Sequence, residues 1–330
     1  MALRFDVLEL RAGSVGECIV KHVEESVSKA ISRRSFLAGA GTAAAATVFA
    51  GCSGGTAPVS MPTTPTPTTP TTPTYTDTDY LNFALNLEYL EAEFYLRAAT
   101  GSGLSSADAG SGAGAVTGGA QVSGFTALQQ SYLYEIAQNE LDHVRLLRSA
   151  LGSAAVARPA IDLTNSFNAL AVAAGVVASG GAFNAFANPM NYLIGAFTFE
   201  DVGVTAYHGA AKLLTSKTNL GVAARIMAVE AYHAASIRSQ ILLIDATMPS
   251  SPYLAYANDV SALRATLGGG NETAISATTI VPCDTTNAIA FERTTDEVLH
   301  IVYGTAGGAG VKSGGFFPSG MNGNISATLS

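Results

Sequence analysis

Apolar residues recur every three or four positions along most of the chain after Tyr80, which is the spacing of one buried helix face. The pattern predicts four long helices, the first beginning at Tyr80 and the others covering about 123–151, 189–214 and 218–248. Helices of this length predict an all-α fold, a four-helix bundle over residues 80–250, with a long crossover connection between helices two and three.

The segments flanking the bundle have a different composition. Residues 53–79 alternate proline with threonine and contain almost no apolar side chain, so this segment cannot bury enough surface to order itself. It is predicted to be a disordered linker. Residues 251–330 are rich in glycine, threonine and serine and predict an irregular C-terminal tail packed on the bundle, in which Cys283 is a small buried thiol. Thr294 and Glu297 have capping-box spacing for a short helix that contains a structural His300.

The first 52 residues read as a targeting segment. Arg33 and Arg34 precede a run of small and apolar residues that ends at Cys52, which resembles a twin-arginine export signal with a lipobox. The resemblance implies export by the twin-arginine machinery to the periplasm or cell surface, with a lipid on Cys52 anchoring the protein to the membrane. Soluble export and an uncleaved anchor are the alternatives.

Composition excludes several classes of partner and site. Charged residues make up 13% of the chain, the net charge is −8, and no basic run follows the N-terminal region, so a nucleic-acid partner is not expected. The three cysteines lie far apart, which supports neither a zinc knuckle nor a disulfide framework. Any metal must therefore be bound by oxygen and nitrogen.

One chemical pattern occurs on each predicted helix, in the order E-x6-Y, E-x2-H, E-x6-Y, E-x2-H. The pairs are Glu88 and Tyr95, Glu140 and His143, Glu200 and Tyr207, and Glu230 and His233. Seven residues are almost two helical turns and three are about one, so both members of a pair share one face. All four pairs are therefore expected to face the bundle axis.

Four buried carboxylates require compensation, because each ionised group costs several kcal/mol or more to desolvate. Two divalent cations would provide it, with His143 and His233 each donating one nitrogen. Glu88 and Glu200 would then be terminal ligands, and Glu140 and Glu230 would bridge the ions. A metal-free hydrogen-bonded network is the alternative, and Tyr95 and Tyr207 are then ordinary core aromatics rather than groups that orient the ligands.

This ligand set resembles that of the ferritin-like dimetal carboxylate superfamily. Within it, the stretches LNFALNLEYLEAEFYLRA, RTTDEVLHIVYG and GGFFPSGMNG are similar to the desiccation-associated ferritin-like proteins. The resemblance covers residues 78–330 and implies the bundle and two Fe or Mn ions. It implies little about the reaction.

Four other polar residues lie close to the predicted ligands in sequence, and each has its own predicted role. Glu91 lies one turn after Glu88 and is an extra ligand or, more simply, an outer acceptor, since the matching position on helix three is Gly203. Asp142 and Asp201 adjoin ligands and are candidates for orienting them. His208 is turned about 100° away from the ligand face and is read as structural.

Two functions follow from the pattern. Paired Fe or Mn ions with open positions predict an oxidase, peroxidase or catalase that acts on O2 or H2O2. The alternative is a metal-binding or drying-protective protein without turnover. A storage cage is disfavoured, because an anchor, a linker and an 80-residue tail would obstruct its assembly.

Overall fold

The computed structural model describes residues 74–330, so Arg33, Arg34, Cys52 and most of the predicted linker lie outside the described residues. In this part of the chain the helices are α1 (Asp77–Thr100), α2 (Ser106–Ala109), α3 (Ala127–Leu151), α4 (Asn165–Ala173), α5 (Pro189–Ala211), α6 (Lys217–Thr247), α7 (Tyr253–Leu267) and α8 (Thr295–Tyr303). Two short strands, β1 (Val116–Thr117) and β2 (Ile161–Asp162), pair in parallel. None of the described helices is both long and apolar enough to cross a bilayer.

The four long helices α1, α3, α5 and α6 form the bundle, which confirms the predicted all-α fold. α1 packs against α3, α5 packs against α6, and α1 also contacts α5. The long connection between α3 and α5 contains β2 and α4. The Gly/Ser-rich segment between α1 and α3 contributes α2 and β1.

Side-chain caps set where the bundle helices begin. Thr76 forms a capping box with Asp79 at the start of α1, and Thr126 does the same with Gln129 at the start of α3. α5 begins with Asn188 as its cap and a proline at the first helical position. These starts place each E-x6-Y or E-x2-H pair well inside its helix, where the backbone is already rigid.

The C-terminal tail is more regular than its composition predicts. It contains α7, which packs against α5 and α6, and α8, which packs against α5 and α7. Thr294 and Glu297 do form a capping box at the start of α8. The two ring nitrogens of His300 contact the backbone oxygens of Thr305 and Ser330 at 3.0 and 3.1 Å. Cys283 is half-buried and free rather than fully buried.

A network of buried ion pairs fastens the tail to the bundle. We call it the arginine cluster, and it consists of Asp201, Arg238, Arg264, Glu272 and Arg293. Asp201 Oδ2 accepts from Arg238 at 2.8 Å and from Arg264 at 2.9 Å, and Arg264 also donates to Glu272 at 2.8 Å. Because the guanidinium groups come from α6, α7 and the segment before α8, the cluster joins the tail to α5.

Candidate metal centre

The six predicted ligands converge in the middle of the bundle, one E-x-x-H pair on each of α3 and α6 and one glutamate on each of α1 and α5. We call this set the carboxylate centre: Glu88, Glu140, His143, Glu200, Glu230 and His233. All six are buried, with exposed fractions between 0% and 7%. The centre is therefore shielded from bulk water on most sides.

The donor atoms form two groups that share Glu140. In the first, His143 Nδ1 lies 3.3 Å from Glu88 Oε2, from Glu140 Oε2 and from Glu230 Oε1. In the second, His233 Nδ1 lies 2.9 Å from Glu140 Oε1 and 3.6 Å from Glu200 Oε2. Glu140 thus offers one oxygen to each group, which is the arrangement of a bridging carboxylate. Glu230 offers an oxygen to the first group alone.

These spacings fit a small cation at each group. With metal–ligand bonds of about 2.1 Å, neighbouring donors of one ion lie roughly 3.0–3.4 Å apart. In the described part of the chain, each of the six residues also has a buried polar atom without a hydrogen-bond partner. These eight atoms are Glu88 Oε2, both oxygens of Glu140 and of Glu230, Glu200 Oε2, and Nδ1 of His143 and His233. Buried polar atoms are normally paired, so the donor set has the composition and geometry of a site for two divalent ions.

Two tyrosines hold the outer oxygens of the terminal carboxylates. The hydroxyl of Tyr95 on α1 donates to Glu200 Oε1 on α5, and the hydroxyl of Tyr207 on α5 donates to Glu88 Oε1 on α1. Each tyrosine therefore donates to the glutamate of the other helix, whereas the E-x6-Y spacing pairs it with the glutamate of its own helix. The remaining oxygens, Oε2 of both glutamates, face the centre.

Burial opposes the full ionisation of the carboxylates in the metal-free centre at neutral pH. Burial, with the neighbouring carboxylates, raises the pKa of Glu140 and of Glu230 to about 8. Burial likewise raises the pKa of Glu200 well above its ordinary value. Burial alone would lower the pKa of His143, but the surrounding carboxylates of Glu88, Glu140 and Glu230 raise it. The metal-free centre thus retains protons that bound cations would displace.

Asn139 is a residue of the site that the sequence pattern did not reveal. Its Oδ1 lies 3.1 Å from Nε2 of His233. Since Nδ1 of this imidazole faces the carboxylates, we infer that Nε2 carries the proton and donates to Asn139. This hydrogen bond fixes the tautomer in which Nδ1 is free to bind a metal. Asn139 directly precedes Glu140, but no residue spacing distinguishes it from other polar neighbours.

The neighbouring acidic residues divide into three kinds. Asp142 is exposed and lies 3.6 Å from Arg145, so the expectation that it orients a ligand is wrong. Asp201 is buried but belongs to the arginine cluster and makes no hydrogen bond to the centre, so it does not orient a ligand either. Glu91 is buried beside the centre, and burial together with the nearby carboxylates raises its pKa well above the ordinary value.

His208 lies outside the centre, as its position on α5 predicted. Its Nδ1 contacts the backbone oxygen of Phe291 at 3.0 Å. It therefore belongs to the contact between α5 and the tail.

Comparison with known proteins agrees with this arrangement. A family model described as the ferritin-like domain matches residues 76–242. The chain is 33% identical over 199 residues to the desiccation-related protein PCC13-62 of Craterostigma plantagineum, a match that covers 58% of this chain and 63% of that protein, less than two thirds of its length. It is 29% identical over 271 residues to the ferritin-like catalase Nec2 of Nesocodon mauritianus, covering 76% of this chain and 84% of that protein. The helical bundle, the buried Glu/His centre and the family match lead to one conclusion: the chain belongs to the ferritin-like domain family.

Proposed function

We propose that this protein is an exported dimetal oxidoreductase that holds two Fe or Mn ions in the carboxylate centre and breaks down hydrogen peroxide. The observation that carries the proposal is the set of eight buried donor atoms without partners among the described residues, seven of which are grouped around two positions. The relative named a ferritin-like catalase, matched over 84% of its length, favours peroxide over O2 as the substrate.

Each residue of the centre has a defined task in this proposal. Glu140 would bridge the ions, Glu88 and Glu200 would be terminal ligands, Glu230 would donate Oε1 to the ion bound by His143, and the two histidines would each donate Nδ1. When bound, two redox-active ions supply the two electrons that reduce one H2O2 to water and take back the two released when a second H2O2 is oxidised to O2. Tyr95 and Tyr207 keep the terminal carboxylates oriented by occupying their outer oxygens.

An opening beside the centre supports turnover rather than sealed storage. A cavity of about 390 Å³ lies between α3 and α6 and is lined by Tyr132, Glu135, Asn139, Tyr232, His233 and Ser236. His233 is a member of the centre, and Tyr232 at the cavity is 75% exposed. A small polar molecule such as peroxide can therefore come as close to the centre as the ring of His233.

A second function is favoured by a different observation. The relative from Craterostigma is named desiccation-related and is the more similar of the two in percentage identity. On this alternative the chain binds metal, or protects other molecules during drying, without turning over a substrate.

The test is metal analysis combined with O2 evolution from H2O2 on the purified protein, before and after loading with Mn(II) or Fe(II). The parent is expected to bind two ions per chain and to release O2. His143→Gln should lose one ion and most of the activity, whereas the control His208→Gln should keep both, because His208 lies outside the centre. A parent that binds less than one ion per chain would refute the metal centre. Two bound ions without peroxide turnover would leave the metal-binding alternative.

We propose export and anchoring on the basis of Arg33, Arg34 and Cys52. Replacing both arginines by lysine should leave unprocessed precursor inside the cell, and unchanged export would contradict the twin-arginine route. Mass spectrometry of the mature N-terminus measures whether Cys52 carries lipid.

A further inference from the structure

Glu91 is a buried carboxylate that lacks a partner within the described residues. It lies one turn after Glu88 on α1, is 4% exposed, and takes part in none of the side-chain hydrogen bonds or ion pairs of the described residues, although its oxygens are not among the fully buried atoms without a partner. Glu93, two residues later, is equally buried but is paired with Arg97 at 2.8 Å and with Arg158. A buried carboxylate is normally satisfied in this second way, so the isolation of Glu91 needs a physical reason.

Gly203 supplies the space that Glu91 occupies. Gly203 follows Glu200 by three residues on α5, as Glu91 follows Glu88 on α1. A Cβ atom at residue 203 would lie 2.6 Å from Glu230 Oε2 and 3.3 Å from Glu91 Oε1. The absence of a side chain at 203 thus lets the carboxylates of Glu91 and Glu230 flank the same stretch of bare backbone.

The space that this glycine leaves is needed first by Glu230 and then by Glu91, and the local backbone does not require a glycine. It lies inside a regular helix and does not have a positive φ angle. In such a position glycine costs about 1 kcal/mol relative to alanine. The helix therefore tolerates a weak helix former at the point where a methyl group would push the two carboxylates away.

The two groups of donors in the centre are unequal in number, and Glu91 as it stands belongs to neither. The first group has four protein donors, from Glu88, Glu140, His143 and Glu230, whereas the second has three. Glu230 uses Oε1 toward the first group, and its Oε2, on the side of Glu91, is one of the atoms without a partner. An oxygen-preferring divalent ion accepts further carboxylate ligands readily.

A small void next to Glu91 leaves its side chain room to move. It measures about 20 Å³ and is lined mainly by apolar groups, including Leu87, Val202 and Phe316. That volume holds about one water molecule. The carboxylate is therefore not locked by packing in its present position.

We propose that Glu91 is a seventh protein ligand of the metal pair, which binds an ion beside Glu230 Oε2 in the space left open by Gly203. The proposal rests on the metal centre of the proposed function but not on peroxide turnover. It makes the two halves of the bundle chemically different, because the related position on α5 has no side chain.

The test measures metal binding without peroxide. Glu91→Gln keeps the shape of the side chain and removes its ability to act as an anionic ligand. The probes are Mn(II), titrated in competition with a fluorescent chelator, and Co(II), whose visible absorption intensifies when the coordination number falls. Glu135→Gln is the matched control, since it makes the same change at an exposed glutamate of the nearby cavity.

We expect Glu91→Gln to weaken the binding of one of the two ions about 100-fold and to intensify the Co(II) absorption. Glu135→Gln should change neither the affinities nor the absorption. Gly203→Ala should weaken binding in the same direction. Gly195→Ala on the same helix should not, because its methyl group would crowd the ring of Phe94 instead. A Glu91→Gln protein with the two affinities and the Co(II) spectrum of the parent would overturn the proposal while leaving the metal centre intact. A parent that binds no metal would overturn both.

Discussion

Glu200 and Asp201 are consecutive residues of α5, yet their side chains belong to two different buried clusters. Glu200 joins the carboxylate centre, where eight buried polar atoms lack partners. Asp201 joins the arginine cluster, where three guanidinium groups surround two carboxylates. In that cluster only Asp201 Oδ1 and Arg264 Nε lack a partner within the described residues. The backbone carbonyls that accept most of the remaining N–H groups are those of Phe197, Gly268, Asn271, Thr273 and Ile280.

The difference teaches how to tell a structural cluster from a functional one. Folding removes charged groups from water in both clusters. The free-energy cost is offset only when the buried ions have partners with good geometry. The arginine cluster contains two carboxylates for its three guanidinium groups, and nearby backbone carbonyls accept further N–H groups, so folding satisfies almost all of its polar atoms. The carboxylate centre contains an excess of one sign and becomes complete only when cations enter. Unsatisfied buried atoms of one charge sign therefore mark a candidate binding site.

Breaking the arginine cluster gives the largest expected effect. Arg264→Met keeps the aliphatic part of the side chain but removes a partner from both Asp201 and Glu272, so we expect a loss of about 3–5 kcal/mol of unfolding free energy. Urea denaturation of metal-free protein measures it. Arg225→Met, at an exposed arginine of α6, is the control and should stay within about 0.5 kcal/mol of the parent. A loss below roughly 1 kcal/mol for Arg264→Met would mean that the cluster does not hold the tail.

The carboxylate centre should respond to pH in a way that the arginine cluster does not. In the metal-free folded protein the pKa of Glu140 and of Glu230 is about 8, against an ordinary 4.5. The folded state therefore binds more protons than the unfolded state between these values. The corresponding stability is fully present below about pH 4.5 and is lost as the pH rises through 8.

We expect this loss to reach about 2 kcal/mol or more, because one unit of pKa shift corresponds to ~1.4 kcal/mol. Denaturation of chelator-treated protein at several pH values between 5 and 9 measures it. The double variant Glu140→Gln, Glu230→Gln should show a much flatter profile, while Glu135→Gln keeps the slope. A parent profile that does not fall with pH would contradict the electrostatic account of the centre.

The tyrosine hydroxyls give the smallest expected effect and sharpen the comparison most. Tyr95→Phe and Tyr207→Phe each remove one donor from a terminal carboxylate and should weaken Mn(II) binding about 10-fold, as measured by chelator competition. Tyr192→Phe is the control, since the buried hydroxyl of Tyr192 has no partner among the described residues. If Tyr192→Phe weakened binding as much, the effect would come from packing of the aromatic core and not from the hydrogen bonds.

The fold and the convergence of the six candidate ligands were predictable because the relevant spacings are local. A helix places residues three or seven apart on one face whatever its surroundings, so E-x2-H and E-x6-Y already imply which side chains point inward. The same rule explains the error at Asp142, which lies two residues after Glu140 and is therefore turned about 200° away from it. Adjacency to a ligand in sequence was a poor guide, and angular position was the better one.

The arginine cluster, the role of Asn139 and the crossed tyrosines were not predictable. Each depends on which helix lies opposite, and single residues such as Arg238, Arg264 and Arg293 leave no repeated pattern in the sequence. The helix α7 could have been found, because YLAYANDVSALRATL lies between Pro252 and Gly268 and has apolar residues at helical spacing. The glycine, threonine and serine content of the whole tail led instead to the prediction of an irregular segment.

The arginine cluster also bears on how this domain can be inherited. The family match ends at residue 242, inside α6, and includes every ligand of the centre. Asp201 lies within that span, but Arg264 and Glu272 lie beyond it. A recombination event that joined foreign sequence directly after α6 would keep all six residues of the carboxylate centre. It would remove Arg264, so Asp201 would lose one of its two guanidinium partners. The unit that contains all partners of the arginine cluster is therefore longer than the stretch that the family model matches.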